Sequence, residues 1–283
     1  MKSIVLRAAE TAARWLPMRT RQGLYRLGPF TRWLRQTLNR AAPSGLHPVV
    51  IAGGDLEGFR LLLDLQVDKD LWLGTYEPEI QQVIREVVRP GMTAYDLGAN
   101  IGYVTLLLAR AVGERGKVVA VEPLASNVER LREAVRLNRL ENRVVVVPKA
   151  ISAGRGRGRF LVHASPGMGR LDQAPGRSEG YEGAVEVEIV SMDELVEKDG
   201  LPVPDVVKVD VEGAEGLALE GMRGILHKTA PILLVEVHNA KAGRVVWSQL
   251  TSAGYALFDL GRGRRVESPA ALESKVQLLA RLP

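Results

Sequence analysis

The sequence of 283 residues contains no cysteine, and this absence excludes several kinds of site. Without thiols the chain can form neither a disulfide framework nor a thiolate zinc site, and it has no cysteine nucleophile. Long apolar runs are missing too, since no segment approaches the ~20 residues that a membrane-spanning helix needs. Arg7, Glu10 and Arg14 interrupt the N-terminus, so we expect no signal peptide there. These absences agree with a cytoplasmic enzyme.

The composition is that of an ordinary globular protein, but the charge is unevenly distributed. Hydrophobic residues make up 46% of the chain and charged residues 25%, which predicts one large α/β domain with an appendage. Residues 1–45 hold nine Lys/Arg and one acid, a net charge of +8, so the remainder of the +5 chain carries −3. Because a nucleic-acid enzyme usually carries positive charge around its cleft, we expect no nucleic-acid partner.

The basic N-terminal segment is predicted to be helical. Residues 3–16 place the following side chains on one helical face: Ile4, Ala8, Ala12, Trp15 and Leu16. Further helices are expected near Arg19 and from Thr31, and a linker at 43–45. Residues 1–45 are either a cap on the main domain or on a partner subunit, as in a homodimer, or a peripheral contact with an anionic membrane or acidic partner. The predicted domains are this basic cap, 1–45, and a catalytic domain, 46–283.

Strands and helices alternate through most of the catalytic domain, which is typical of a doubly wound α/β sheet. Seven strands are predicted, at 93–97, 118–121, 144–149, 205–209, 232–236, 255–259 and 276–281. Helices are predicted near 101–112, 125–138, 213–227 and 241–252. Two elaborations interrupt this order: a hairpin over 49–65 and a hairpin insert over 160–190.

The most informative motif is the glycine loop that follows the first of these strands. Asp96 ends the strand, Gly98 and Gly102 open the next helix, and Glu122 follows the second strand. This is the layout of a nucleotide-binding βαβ unit, in which the second acid reaches two ribose hydroxyls. The loop does not spell G-x-G-x-x-G, and its acid suits a cationic ligand such as S-adenosylmethionine better than a pyrophosphate. A dinucleotide dehydrogenase and a glycine turn without a ligand are the alternatives.

Acidic residues also end the later strands, at the edge where α/β sheets bind ligands. Asp210 follows the fourth strand and Glu236 the fifth, with His238 just beyond it. Lys208 lies inside an apolar strand and must either pair with a rim acid or contact substrate. We predict Asp210, His238 and Lys208 as catalytic residues. His238 would take a proton from a hydroxyl, or join Asp210 and Glu236 around a divalent cation such as magnesium.

Taken together, these motifs resemble the FkbM family of S-adenosylmethionine-dependent methyltransferases over roughly residues 74–240. The shared stretches are Tyr76–Glu79, Asp96–Thr105, Val121–Asn127, Ser191–Asp193, Val207–Glu215 and Glu236–His238. The resemblance implies a Rossmann-like class I methyltransferase fold with seven strands, the last one reversed.

The resemblance also implies a set of cofactor contacts. Asp96, Gly98, Asn100 and Gly102 would line the methionine end, and Asp210 would face the reacting centre. Glu122 would hold the ribose, Asn127 would support that loop, and the backbone near Ala150 would meet the adenine. Glu77 and Thr105 belong to matched motifs and complete the predicted cofactor-binding set.

The function that this resemblance implies is O-methylation of a hydroxyl on a small molecule or glycan. Two other functions stay open: methylation of a nucleic-acid ribose, and a non-catalytic, membrane-associated protein that binds S-adenosylmethionine. The chain lacks the Asp/Asn-Pro-Pro-aromatic motif used on exocyclic amines of bases. The segment 164–182 departs from the family pattern and is expected to determine specificity.

Overall fold

The structure is a computed structural model that describes residues 4–15, 42–164, 167–175 and 179–283. Its helices are α1 Ile4–Trp15, α2 Lys69–Trp72, α3 Pro78–Val87, α4 Tyr103–Val112, α5 Ala125–Leu137, α6 Met192–Glu197, α7 Glu215–Glu220, α8 Arg223–Lys228 and α9 Ala240–Ser252. Its strands are β1 His47–Val50, β2 Arg60–Leu63, β3 Thr93–Leu97, β4 Lys117–Val121, β5 Val144–Val147, β6 Ala150–Ile151, β7 Gly156–His163, β8 Arg170–Leu171, β9 Tyr181–Val190, β10 Val206–Val209, β11 Ile232–Val237, β12 Ala256–Asp259, β13 Arg264–Arg265 and β14 Val276–Arg281. Short 3₁₀ turns occur at Gly54–Leu56 and Pro269–Leu272.

A mixed sheet of eight strands forms the centre of the catalytic domain. The strand order is β13-β12-β14-β11-β10-β3-β4-β5, and β14 runs antiparallel to both of its neighbours. The seven predicted strands and the reversed last strand are thus confirmed. The eighth strand, β13, was not predicted, because two residues are too few to show a periodic pattern. It pairs Arg265 with Phe258 and Arg264 with Asp259 at the edge of the sheet.

Both faces of the central sheet are covered, and this explains why its strands are continuous apolar runs. Successive residues of a strand point to opposite faces. Accordingly, Ala94 packs in one hydrophobic cluster with helices α3 and α4, whereas Tyr95 and Leu97 pack in another with α7–α9. All four residues of β10 are buried, and one of them is Lys208. Burying an ammonium group requires partners, which the site provides.

Two smaller sheets flank the central one. β1 and β2 pair antiparallel, so the predicted hairpin is present, with strands at 47–50 and 60–63. The insert is a four-stranded sheet in the order β6-β9-β7-β8 rather than a simple hairpin. Its strand β7 begins at Gly156, before the predicted start at 160. Glycine and arginine alternate from 154 to 159 and hide the strand pattern, because glycine has a low strand propensity.

The first helix agrees with the predicted range, but two members of the face predicted to be apolar are not buried, and the side chains of Ile4 and Ala8 lie outside the described part. Leu6 and Ala13 are buried in the core, whereas Ala12 is exposed and Trp15 is 78% exposed. Alanines occur all round this helix, so the sequence allows two apolar stripes and only packing selects one. Leu16 and the helices predicted near Arg19 and Thr31 lie outside the described residues. In the part of the chain that the structure describes, no helix is both long and apolar enough to cross a membrane.

Candidate functional site

A cavity of about 410 Å³ opens at the carboxyl-terminal edge of the central sheet, where α/β proteins bind ligands. Its lining includes residues from the ends of five strands or the loops after them: Gly98, Glu122, Ala150, Asp210 and Glu236. Asn100 and Asn127 line it as well. The volume lies within the range of about 300–1,000 Å³ that is usual for small-molecule and cofactor sites. The structure therefore brings most of the predicted cofactor residues to one place.

The glycine loop is shaped by a close contact with the loop that carries Asp210. Gly98 has φ +83°, and a Cβ atom there would lie 1.9 Å from the carbonyl oxygen of Asp210. Gly102 has φ +96°, with Leu131 against the position of its missing side chain. Gly98 is therefore required by the packing of two site loops, before any ligand is considered.

Glu122 is held in place by three donors at the end of β4. Its Oε2 accepts a hydrogen bond from the amide of Asn100 at 2.9 Å, and its Oε1 accepts from the amide of Leu124 at 3.0 Å and from Asn127 Nδ2 at 3.2 Å. Burial raises the pKa of this carboxyl, and the same three hydrogen bonds oppose that rise. A fixed carboxylate on the cavity wall can receive ribose hydroxyls without reorganising, and Asn127 contributes by orienting it.

Asp96 and Thr105 lie behind the cavity wall and do not line it. Thr105 Oγ1 donates to Asp96 Oδ2 at 2.6 Å, and both side chains are fully buried. Lys208 Nζ lies 3.9 Å from Asp96 Oδ1 and 2.8 Å from Asp210 Oδ2. Burial lowers the pKa of Lys208, but Asp210 and Asp96 outweigh it and raise that pKa well above the ordinary value. Lys208 is thus a charged bridge that holds Asp210 at the cavity.

His238 stands among carboxylates beside Asp210. Its Nδ1 is hydrogen-bonded to Glu215 Oε1 at 2.7 Å, and its Nε2 lies 3.2 Å from Glu236 Oε1 and 3.4 Å from Asp210 Oδ1. Burial opposes the imidazolium, but Glu215, Glu236 and Asp210 raise the pKa of His238 to about 10. Without a bound cation the ring is therefore protonated at neutral pH.

Asp210, Glu236 and His238 also form a candidate metal centre, because their ligand atoms lie within 4.8 Å of one another. Glu215, at the start of α7, holds the ring of His238 in this cluster. It is fully buried, and its Oε1 accepts from the amide of Gly213 at 2.9 Å as well as bonding His238. A carboxylate on Nδ1 fixes the ring so that Nε2 faces the cluster.

Two parts of the site were not predicted as functional. Tyr76 lines the cavity, and Lys275 lines it and forms an ion pair with Glu236. A family motif contains Tyr76, but nothing in its spacing marks it as a wall residue. Lys275 precedes the reversed strand β14, whose start lies at the same edge as the ends of its neighbours. That reversal is the one sequence-level signal that pointed to Lys275.

Glu77, predicted to bind the cofactor, sits behind Tyr76 in a strained conformation. Its φ is +43°, which is costly for a residue other than glycine. Burial raises the pKa of its carboxyl to about 7, with Lys208 acting in the opposite direction. Glu77 Oε2 is buried and has no hydrogen-bond partner among the described residues. Glu77 is not part of the cavity lining, so its place in the cofactor set remains a prediction.

The charges of the cavity argue against a pyrophosphate ligand. Each of its four cationic side chains already lies close to a carboxylate; they are Arg130 with Asp68, Lys149 with Glu188, Lys208 with Asp210, and Lys275 with Glu236. A pyrophosphate would therefore have to rely on the N-terminus of α4, which lies at the cavity, without an unpaired cation beside it among the described residues. A ligand with hydroxyls and positive charge, such as S-adenosylmethionine, fits this lining.

Comparisons with known proteins agree with this chemistry. The family model described as the methyltransferase FkbM domain matches residues 96–257. A curated relative, the hexuronic acid methyltransferase AglP of Haloferax volcanii, is 28% identical over 192 residues, which cover 65% of this chain and 73% of the relative.

Among solved structures, a similar one is the FkbM methyltransferase of Methylobacillus flagellatus, at 17% identity and a TM-score of 0.45, covering 87% of this chain. The chain spans only 57% of that structure. An S-adenosylmethionine-dependent O-methyltransferase of Thermotoga maritima is 15% identical with a TM-score of 0.42, over 73% of this chain and 65% of that one. Because the family model covers more than half of its length, the chain belongs to the FkbM family of S-adenosylmethionine-dependent methyltransferases.

Proposed function

We propose that this methyltransferase transfers the methyl group to an oxygen atom of a sugar, most simply a hydroxyl of a glycan or glycosylated small molecule. The observation that carries the proposal is Asp210, a carboxylate that lines the cofactor cavity 3.4 Å from His238 and can accept the proton of a hydroxyl. The curated relative named as a hexuronic acid methyltransferase supports a sugar acceptor.

The roles of the residues follow from their positions. S-adenosylmethionine supplies an electrophilic methyl group. Glu122 receives the ribose hydroxyls, and Asp210 accepts the hydrogen bond of the attacking hydroxyl and finally its proton. Before a cation binds, His238 is protonated by its acidic neighbours, cannot serve as a base, and holds Asp210 and Glu236 together. A cation in the cluster would take over that role, with a deprotonated Nε2 as one of its ligands. Lys208 fixes Asp210 from behind at 2.8 Å.

An acceptor screen tests this function directly. Purified protein would be incubated with S-adenosylmethionine labelled in its methyl group and with neutral sugars, uronic acids, ribonucleosides and RNA. We expect labelled methyl esters or ethers of sugars, with stoichiometric S-adenosylhomocysteine. Label confined to the ribose of RNA would contradict the proposal and favour the nucleic-acid alternative.

Glu122 provides a test of the cofactor site. We expect Glu122→Ala to weaken S-adenosylhomocysteine binding about 100-fold, because two hydrogen bonds from ribose hydroxyls to a charged acceptor are lost. Isothermal titration calorimetry would measure the loss. Glu186→Ala is the matched control, since it removes an exposed carboxylate of the insert whose partner, Arg157, does not line the cavity. Equal affinities in the two variants would refute the role of Glu122.

We further propose that the cluster of Asp210, Glu236 and His238 binds a divalent cation during turnover. Imidazole with two carboxylates suits Mn²⁺ or Zn²⁺ better than Mg²⁺, which prefers oxygen ligands alone. We expect excess chelator to lower turnover at least about tenfold, because the loss of an outer-shell partner of a metal ligand alone usually costs about that much. Mn²⁺ should then restore turnover better than Mg²⁺. Full activity in the presence of chelator would contradict the metal proposal and would mean that the cluster binds a proton instead of a cation.

The N-terminal segment supports a separate proposal, peripheral contact with an anionic membrane. Residues 1–45 carry a net charge of +8, and Trp15 is 78% exposed at the end of α1. Basic segments with exposed aromatic side chains bind anionic lipid surfaces. Co-sedimentation with vesicles that contain phosphatidylserine, but not with pure phosphatidylcholine vesicles, is the expected result. If the protein sedimented with neither kind of vesicle, the cap alternative would be favoured. The burial of Leu6 and Ala13 also fits that alternative.

A further inference from the structure

A second cavity of about 260 Å³ lies next to the cofactor cavity, and Lys275 lines both. Its polar lining residues are Glu79, Asp259, Arg262, Ser274, Lys275 and Gln277. They come from α3, from the end of β12, from the start of β14, and from the loops that follow β12 and precede β14. In the strand order, β12 and β14 lie on one side of β10, and β4 lies on the other. Glu122, the carboxylate proposed to bind the ribose, follows β4.

We propose that this second cavity is an acceptor subsite, which holds the sugar ring adjoining the ring that is methylated. The inference rests on the proposed sugar O-methylation and extends it from one ring to two. The acceptor would then enter from the side of β12 and β14, while the cofactor occupies the side of β3 and β4.

Side chains that line the second cavity contact the residues of the proposed reaction site. Lys275 Nζ forms an ion pair with Glu236 Oε1, and Gln277 Nε2 donates to Glu236 Oε2 at 2.9 Å. Glu236 Oε1 lies in turn 3.2 Å from His238 Nε2. A ligand bound in this cavity would therefore touch side chains that contact Glu236. His238 lies between Glu236 and Asp210 and is close to both. Such proximity suits the neighbouring unit of the same acceptor better than an unrelated effector.

The lining has the chemistry of a site for hydroxyl groups. Apart from Gly261, only Ala271 and Val276 lack polar side-chain atoms, and none of the lining residues is aromatic. The cations are already neutralised, since Arg262 Nε lies 3.6 Å from Asp259 Oδ2 and Lys275 pairs with Glu236. Asp259 is 5% exposed and also accepts the amide of Arg262 at 2.9 Å, so this wall is firmly built. The lining offers both donors and acceptors, which fits a polyhydroxylated ring rather than an apolar group or a strong anion.

The size of the cavity agrees with one ring. Small-molecule and cofactor sites usually enclose about 300–1,000 Å³, and the second cavity falls just below that range at 260 Å³. It is also smaller than the 410 Å³ cavity assigned to the cofactor, so we assign it one ring of the acceptor and not a second cofactor.

Steric filling and charge removal test the subsite. Ser274 and Arg262 are both exposed lining residues, so Ser274→Trp would fill the cavity and Arg262→Ala would remove one donor without disturbing the core. Arg264→Ala is the matched control, because Arg264 is an exposed arginine two positions further on that does not line the cavity. Titration with S-adenosylhomocysteine would verify that the cofactor cavity stays intact in each variant.

The substrates for the test are glucose and glucuronic acid, each with its β-linked disaccharide, cellobiose and cellobiouronic acid. We expect the wild type to use a disaccharide with a kcat/KM about tenfold higher than that of its monosaccharide, the effect of one or two added hydrogen bonds. Ser274→Trp should abolish this advantage and Arg262→Ala should reduce it, whereas Arg264→Ala should keep it.

Three results would overturn the subsite. In the first, the wild type uses both sizes of acceptor equally well. In the second, Ser274→Trp retains the full preference for the disaccharide. In the third, no sugar is methylated at all, which removes the proposed function and the subsite with it. In the first two cases the proposed function survives, because sugars are still methylated.

Discussion

Replacing Asp210 with alanine is expected to lower the turnover number about 100- to 10,000-fold, the usual contribution of a positioned acid or base. Asp210 is the carboxylate that lines the cavity at the end of β10 and lies between Lys208 and His238. Its loss removes the acceptor for the hydroxyl proton. The affinity for S-adenosylhomocysteine should change much less, because Glu122 and Asn100 are untouched. Steady-state kinetics and calorimetry on the same preparation would separate the two effects.

Two further variants keep this experiment interpretable. Removing Asp210 leaves Asp96, 3.9 Å away, as the one carboxylate within 4 Å of the buried ammonium of Lys208 among the described residues. Breaking a buried ion pair costs about 3–5 kcal/mol. Asp210→Asn preserves the volume and a hydrogen-bond acceptor, so it should fold better while remaining slow. Asp199→Ala, which removes a surface partner of Arg155, should behave as the wild type. Wild-type turnover in Asp210→Ala and Asp210→Asn would remove Asp210 from the mechanism.

The glycine loop shows how far local sequence can predict this site. Asp96, Gly98 and Glu122 are each marked by their position relative to a short apolar strand, and such strands need no long-range information. Their spacing predicted the central sheet and the place of the cofactor cavity. The same argument placed Asp210 and Glu236 on one edge, because parallel strands end at the same side of a sheet.

His238 and its partners show where that argument stops. The sequence placed His238 after β11, but its protonation depends on Glu215, a residue 23 positions earlier whose side chain turns inward from α7. Acidic residues are favoured at helix N-termini because they interact well with the helix dipole. The sequence alone therefore could not tell whether Glu215 only stabilises the start of α7 or also takes part in the site. Lys275 depends in the same way on a tertiary pairing, that of β14 with β11.

The first helix and the insert mark a second limit. Alanine contributes little to either face of a helix, so the apolar side of α1 is decided by what it packs against. In the insert, Gly158 and Arg159 belong to strand β7 although neither shows strand propensity; they are held there by pairing with Val187 and Glu186. Pairing of this kind, like packing, overrides local preference.

Gly98→Ala is expected to cost at least about 4 kcal/mol of stability, in the range reserved for severe defects, and to abolish detectable binding of S-adenosylhomocysteine. The added methyl group would lie 1.9 Å from the carbonyl oxygen of Asp210, at a residue with φ +83°. Relief of this clash requires the glycine loop and the Asp210 loop to separate. That separation breaks the bond from the amide of Asp210 to the carbonyl of Leu97, now 3.0 Å.

Gly91→Ala distinguishes the clash from the backbone strain that both substitutions share. Gly91 has φ +92°, but a Cβ atom there would meet nothing within 4 Å. It should therefore cost only the about 1–2 kcal/mol of a left-handed residue and leave cofactor binding unchanged. Denaturant unfolding gives the stabilities and calorimetry the affinities. If the two variants lost equal stability and both still bound S-adenosylhomocysteine, the contact between Gly98 and Asp210 would not be what shapes the cavity. The expected difference between them measures how strongly the cofactor loop and the loop of the proposed base depend on each other.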